Sequence, residues 1–310
     1  MLRLYTHPDC LAHQPGPGHP ESPARLRTVL AALDHDRFAR LDRCEAPAVT
    51  AAQLARVHEA AMLARIEAAA AEAARNGAGV ALDADTVLGP HSIEAARRAA
   101  GAAVAAVDAV LAGACRHAFC AVRPPGHHAT PQQAMGFCIY NSVAVGAAHA
   151  LAAHGLARVA IADFDVHHGN GTQAYAAGEP RVLYLSSHQS PLYPGTGEHG
   201  EHDPGNVLNA PLPPGSGGAA FRAVWDERLL PRLAAFRPQL ILVSAGFDAH
   251  RLDPLADLDL GHEDYAWIGT RLAHLADAHC GGRLVSVLEG GYSLSALTGA
   301  VPAYLQPQLD

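Results

Sequence analysis

The chain lacks the features on which several large protein classes depend. Its 22 Lys/Arg residues stand against 30 Asp/Glu, a net charge of −8, and form no basic cluster or stripe. Without such a stripe there is nothing to neutralise phosphates, so no nucleic-acid partner is expected. The six cysteines, Cys10, Cys44, Cys115, Cys120, Cys138 and Cys280, include no Cys-x-x-Cys pair, and a chain of 310 residues does not need disulfide staples. Reduced thiols and a cytoplasmic setting follow. Residues Met1 to Cys10 lack a basic start and an apolar core, and the most apolar helical stretch, Ala99 to Cys115, is broken by Asp108. Neither export nor membrane insertion is expected. There is no Gly-x-Ser-x-Gly elbow, Walker loop or His-Glu-x-x-His helix, which sets aside the chemistries those motifs serve. Gly195 to Gly200 matches a dinucleotide fingerprint in form, but it neither directly follows a strand nor opens a helix, as cradling phosphates requires.

What the chain does have is apolar bulk and imidazole. A composition 49% hydrophobic and 17% charged can bury a real core, and 20 histidines point toward metal or proton chemistry. Ser22-Pro23 reads as a cap with proline in the first turn of a helix reaching Leu33. Helical periodicity also marks Ala51 to Arg75 and Ile93 to Ala112, with Asp83-Ala84-Asp85-Thr86 between them as a capped loop. From Ala118 onward, short apolar runs alternate with helical segments: Phe119 to Val122, Val159 to Ala162, Val182 to Leu185, Leu240 to Ser244 and Leu284 to Leu288. That alternation predicts an α/β fold with a mainly parallel sheet and crossover helices. No repeat or Ser/Gly linker divides it, so residues 1–310 read as a single domain. The stretch from His188 to Gly218, rich in Pro and Gly and without periodicity, reads as a functional lid or rim.

The residues after each run carry the chemistry. They are Arg123-Pro124-Pro125-Gly126-His127-His128, Asp163-Phe164-Asp165-Val166-His167-His168-Gly169-Asn170, Ser186-Ser187-His188, Ala245-Gly246-Phe247-Asp248 and Glu289-Gly290-Gly291-Tyr292. In open α/β sheets ligands bind outside the carboxyl ends of the strands, so one site on one face is expected. In extended backbone Asp163, Asp165 and His167 share a side, and Asp165 with His167 supplies two donors to a divalent cation. Asp248 is the best third donor; Asp253 and Asp257 are rivals that read more readily as solvated loop residues. His127 and His128 offer one imidazole as general base and acid and one to tune the charge, with Asp163 and Asn170 available as orienting partners. Gly290-Gly291 lets Tyr292 approach closely, as an oxyanion donor or as a packed ring.

Together with His19-Pro20-Glu21-Ser22-Pro23, Gly136-Phe137-Cys138-Ile139-Tyr140-Asn141, Pro191 to Gly197 and Asp253-Pro254-Leu255, these motifs resemble the zinc-dependent histone deacetylase family, in its class II-like bacterial branch with the acetylpolyamine amidohydrolases. The resemblance implies a three-layer arginase/deacetylase-type α/β fold and hydrolysis of N-acetyl or other N-acyl amines, acyl-lysine above all, by one catalytic Zn2+. Carried over, Asp165, His167 and Asp248 would hold zinc. His128 would be general base and acid with His127 as companion, Asp163 and Asn170 would orient them, and Tyr292 would polarise the carbonyl. Gly136, Phe137, Tyr193, Leu255 and Gly291 would contact substrate. Structural K+ is implied at main-chain oxygens near Asp163, Asp165 and His167 and at Ser186-Ser187. His13 to Pro23 would form a rim loop. Asn170 stands where class I relatives have Asp. Leu255 stands where similar polyamine-selective enzymes carry a glutamate that reads a distal ammonium, which favours acyl-lysine, although Asp83 or Asp85 could take the glutamate's place. The alternatives are an amidohydrolase of small acylated amines such as acetylpolyamines, an arginase-like ureohydrolase, disfavoured for want of bridging ligands, and a non-catalytic acyl-lysine binder. The oligomeric state stays open.

Overall fold

The computed structural model describes residues 2–198 and 205–309. Its strands are β1 (Leu2–Thr6), β2 (Asp42–Glu45), β3 (Val80–Ala81), β4 (Val87–Leu88), β5 (His117–Cys120), β6 (Val159–Asp163), β7 (Val182–Gln189), β8 (Val207–Leu212), β9 (Leu240–Ala245) and β10 (Leu284–Leu288). Eight of them form one sheet in the order β2-β1-β5-β10-β9-β6-β7-β8, and every pairing in it is parallel. β3 and β4 make a small antiparallel hairpin apart from it. Every residue of β5, β6, β7, β9 and β10 is buried. Strands covered on both faces read as unbroken apolar runs, which is why four of these five begin where the sequence places them.

The chain moves from β5 to β6 and later inserts β9 and β10 between them. The carboxyl ends of β5, β10, β9 and β6 therefore lie side by side, where a doubly wound sheet opens its crevice. Helices Ser92–Leu111, Ser142–Ala153, His262–Cys280 and Leu294–Leu305 are among those packed around the sheet.

Several expectations need correction. β5 starts two residues earlier than its apolar run, because His117 is buried in register between Leu2 of β1 and Leu284 of β10. The stretch from Ala51 to Arg75 is two helices, Ala51–Leu54 and Ala60–Asn76. The first opens on a Thr50/Gln53 capping box, and the second stops at Gly77 with φ 64°. Ser22 precedes helix Pro23–Ala32 but makes no side-chain cap bond. The aperiodic stretch from His188 contains β8, an edge strand paired to β7 whose Pro211 breaks the apolar run. Proline is tolerated there because an edge strand has one side without a ladder. Part of that stretch, residues 199–204, lies outside the described residues, as do His199 and Gly200 of the fingerprint match.

Candidate metal centre and channel

β6 ends at Asp163, and the chain then curls instead of continuing extended. Asp163 Oδ1 accepts from Asp165 N at 3.1 Å, and Asp165 Oδ1 accepts from His167 N at 2.9 Å. Each carboxylate thus turns the backbone two residues on, a local bond characteristic of Asp. The sequence reading placed Asp165 and His167 together by strand alternation; these turns bring them together instead, with His167 Nδ1 3.1 Å from Asp165 Oδ1. Asp248, just past β9, reaches the same point: His167 Nδ1 lies 3.3 Å from its Oδ2, and its Oδ1 accepts from Val166 N at 2.9 Å. Gly290 N donates to Asp165 Oδ2 at 2.8 Å. A Cβ on Gly290 would strike Asp248 Oδ2, and one on Gly246 would strike Asp165 Oδ2, so both strand ends require glycine for steric reasons. Asp165, His167 and Asp248 are all buried, and Asp248 Oδ2 has no hydrogen-bond partner. Burial would lower His167, but the adjoining carboxylates of Asp165 and Asp248 outweigh it and raise it to about 10. His168 points elsewhere, bonded to Thr196 Oγ1 and Gln173 Oε1, both at 2.8 Å.

The tandem histidines follow β5. Glu289, at the end of β10, accepts from Gly126 N at 2.6 Å and His127 N at 3.2 Å, fixing the turn that presents them. His127 donates from Nδ1 to Asp163 Oδ2 at 3.1 Å, and the Tyr184 hydroxyl donates to the same oxygen at 3.0 Å. Burial opposes charge on His127, yet the charges of Asp165 and Asp163 prevail and raise it to about 10. His128 Nδ1 lies 2.8 Å from Asn170 Oδ1, while the Asn170 amide nitrogen faces the Met135 sulfur at 3.4 Å. A carbonyl oxygen can only accept, so His128 carries its proton on Nδ1 and keeps the Nε2 lone pair. Burial, then the charges of His127 and His167, hold His128 well below the ordinary imidazole range.

Above this floor lies a cavity of 220 Å³ lined by Asp85, His128, Gly136, Phe137, His167, Leu192, Tyr193, Leu255 and Tyr292. Phe137 holds φ 65°, unusual for a side chain of its size, with its N–H on Thr86 Oγ1 at 3.0 Å. The His128 and Tyr193 rings meet edge to face at 5.1 Å, and Tyr193 is 37% exposed at the mouth. The Arg25 guanidinium stacks on the Tyr292 ring at 4.8 Å, and burial pushes the phenol well above its usual pKa, so it keeps its proton. Gly291 does not line the cavity: its carbonyl accepts from Arg25 Nε at 2.5 Å, and it packs toward Leu297 and Phe247. A larger depression of 530 Å³ beside helix Ala60–Asn76 has Arg65 as its one ionisable group and carries no comparable chemistry.

The sequence reading missed a buried layer beneath the floor. Glu21, expected on a rim loop, is fully buried and paired with Arg123 and with Arg25 at 3.0 Å. His19 of that segment lies 4.6 Å from the Phe137 ring. Asp253, expected in solvent, is 8% exposed, whereas Asp257 is exposed as expected. The fully buried Arg25 could have been suspected from its i,i+4 spacing to Glu21.

Residues 19–307 match the family described as histone deacetylase domain. The chain is 45% identical over 282 residues to a histone deacetylase-like amidohydrolase of Pseudomonas aeruginosa, covering 89% of this chain and 73% of that one. It is 39% identical to the chloroplastic histone deacetylase 14 of Arabidopsis thaliana, over 91% of this chain and 71% of that one. The crystal structure of the HDA15 HD domain superposes with a TM-score of 0.91 at 33% identity, covering 98% of this chain and 87% of that one. With a metal-competent Asp/His/Asp cluster at the base of a narrow cavity and a family match along nearly its whole length, the chain belongs to the histone deacetylase family of metal-dependent amidohydrolases, which act on acylated amines.

Proposed function

We propose that residues 1–310 form one cytoplasmic catalytic domain that hydrolyses N-acyl-lysine amides, with one Zn2+ held by Asp165, His167 and Asp248. The observation that carries this reading is the cluster itself. Donors about 2.0–2.1 Å from a tetrahedral ion stand roughly 3.3 Å apart, and His167 Nδ1 lies 3.1 and 3.3 Å from the two carboxylates. The orphaned Asp248 Oδ2 is a further sign of fit, since a buried carboxylate oxygen without a partner calls for a cation. When bound, the ion supplies Lewis-acid polarisation of the acyl carbonyl and of attacking water.

The remaining steps belong to the chain. His128, neutral and protonated on Nδ1, takes a proton from the attacking water at Nε2 and later returns it to the departing amine. His127, held charged by Asp163, stabilises negative charge developing nearby. Tyr292 keeps its proton and donates a hydrogen bond to the oxyanion. Phe137, Tyr193, Leu192 and Leu255 enclose the aliphatic stem of the substrate and exclude water. Structural K+ at main-chain oxygens of Asp163, Asp165, His167, Ser186 and Ser187 belongs to the same proposal; Asp163 and Ser186 face each other across β6 and β7.

A second reading, amide hydrolysis of acetylpolyamines, is favoured by one observation: Asp85 stands on the cavity wall, where a carboxylate could meet a distal ammonium that Leu255 cannot. The deciding experiment is kcat/KM of the zinc-loaded protein on acetyl-lysine peptides, acetylspermidine and acetylputrescine, with Tyr292→Phe as control. Preference for peptides is expected. Preference for the polyamines would replace the first reading with the second, and no turnover of any would leave a different acyl group or the non-catalytic binder.

A further inference from the structure

Asp253 follows Asp248 in the loop after β9, and its side chain is buried without being one of the three clustered metal donors. Its two oxygens are taken up by three backbone N–H groups. Oδ2 accepts from Tyr292 N at 2.7 Å and from Ser293 N at 3.2 Å, and Oδ1 accepts from Leu255 N at 3.1 Å. A buried carboxylate met only by amide hydrogens is a costly way to hold two segments together, since an apolar contact would do so without desolvating a charge. What those segments carry gives the arrangement its meaning. Leu255 and Tyr292 both line the cavity, on the gate side and at the proposed oxyanion donor.

Tyr292 needs such an anchor because of what surrounds it in the chain. Before it stands Gly291 at φ 119°, a backbone position with wide freedom, and after it Ser293, which caps helix Leu294–Leu305 by accepting from Ala296 N at 3.3 Å. The phenol therefore sits between a glycine hinge and a helix start. Arg25 secures the carbonyl side of the hinge through Gly291 O at 2.5 Å, and Asp253 secures the N–H side.

We propose that Asp253 is a positioning residue, whose carboxylate bridges the peptide segments of Leu255 and Tyr292 and so holds the phenol in its catalytic place relative to the channel wall. This rests on Tyr292 acting as the oxyanion donor. Hydrogen-bond donors stabilise a transition state only when held where charge develops, so a displaced phenol lowers kcat even though it is still present.

The test is a double-mutant cycle of Asp253→Asn and Tyr292→Phe in the zinc-loaded protein, with kcat, KM and bound zinc read for each. Asparagine matches aspartate in size but leaves one accepting oxygen, so it cannot hold both segments. Asp253→Asn is expected to keep its zinc and lose about tenfold or more in kcat, but to cost less than about twofold further in the Tyr292→Phe background, where there is no phenol left to misplace. The same fold loss in both backgrounds, loss of zinc, or a parental kcat would each overturn the proposal. Should Asp253→Asn fail to fold, Asp253→Ser takes its place in the same cycle. Tyr292→Phe is also measured alone, so parental turnover there overturns the oxyanion reading and is told apart from a failure at Asp253.

Discussion

Asp165, His167 and Asp248 meet past the ends of two adjacent buried strands, whereas Asp108, His149 and His154 meet where helices Ser92–Leu111 and Ser142–Ala153 reach solvent. Both groups bring their donor atoms within 4.8 Å of one another. In the surface group both imidazole Nε2 atoms lie against Asp108 Oδ1, at 2.7 and 2.6 Å, and Arg56 donates to His149 Nδ1 at 3.1 Å. Its polar atoms are partnered by one another, and an imidazole that accepts from Arg56 on one nitrogen must carry its proton on the other, toward Asp108. The buried group gathers two carboxylates and leaves one oxygen without a hydrogen bond at the base of the cavity. The same residue types thus make a solvent-facing hydrogen-bonded cluster in one place and a buried, metal-competent one in the other, and the surroundings set the difference.

The largest effect that would sharpen this contrast comes from Asp248→Ala. Bound zinc, measured per chain by atomic emission, should fall to below about a tenth of the parent, with kcat/KM reduced about 10³-fold or more. Full zinc content would remove Asp248 from the ligand set. Next, Tyr292→Phe should retain zinc and lower kcat about 10²- to 10³-fold, the cost of one oxyanion donor. Asn170→Asp should act more gently, through pH. A carboxylate beside His128 favours its charged form and raises its pKa, and a base must be neutral to act, so the acid limb of the kcat/KM profile should move up by about one pH unit. A limb that stayed in place or moved down would dissociate Asn170 from the base. The smallest effect belongs to the surface group. Asp108, half exposed at 51%, should cost less than about 1 kcal/mol when changed to Ala, judged by urea denaturation. Zinc content and turnover should stay within about twofold of the parent, and a zinc loss matching that of Asp248→Ala would collapse the distinction between the clusters.

Legibility in the sequence followed burial. β6, β7, β9 and β10 are buried on both faces and stand out as apolar runs, whereas β2, whose sequence is Asp42-Arg43-Cys44-Glu45, and β8 with Pro211 are edge strands whose charge or proline conceals them. At the site, the Asp/His motifs were visible because ionisable groups are dense at strand ends. The backbone-anchoring roles of Asp253, Glu289 and Arg25 were not, because the groups they hold lie far away in the chain. Arg25 and Gly291 are 266 residues apart, and no spacing rule connects them.

The sequence by itself determined the parallel α/β pattern and the Asp and His side chains gathered at the strand ends, since these follow from side-chain chemistry and local periodicity. The tertiary structure alone decided that β9 and β10 enter between β5 and β6, that Asp248 meets His167, that His128 keeps its lone pair on Nε2, and that Asp253 is spent on backbone amides. Each of these depends on which charges and N–H groups are buried beside one another, a property of distant segments brought together that no stretch of sequence contains.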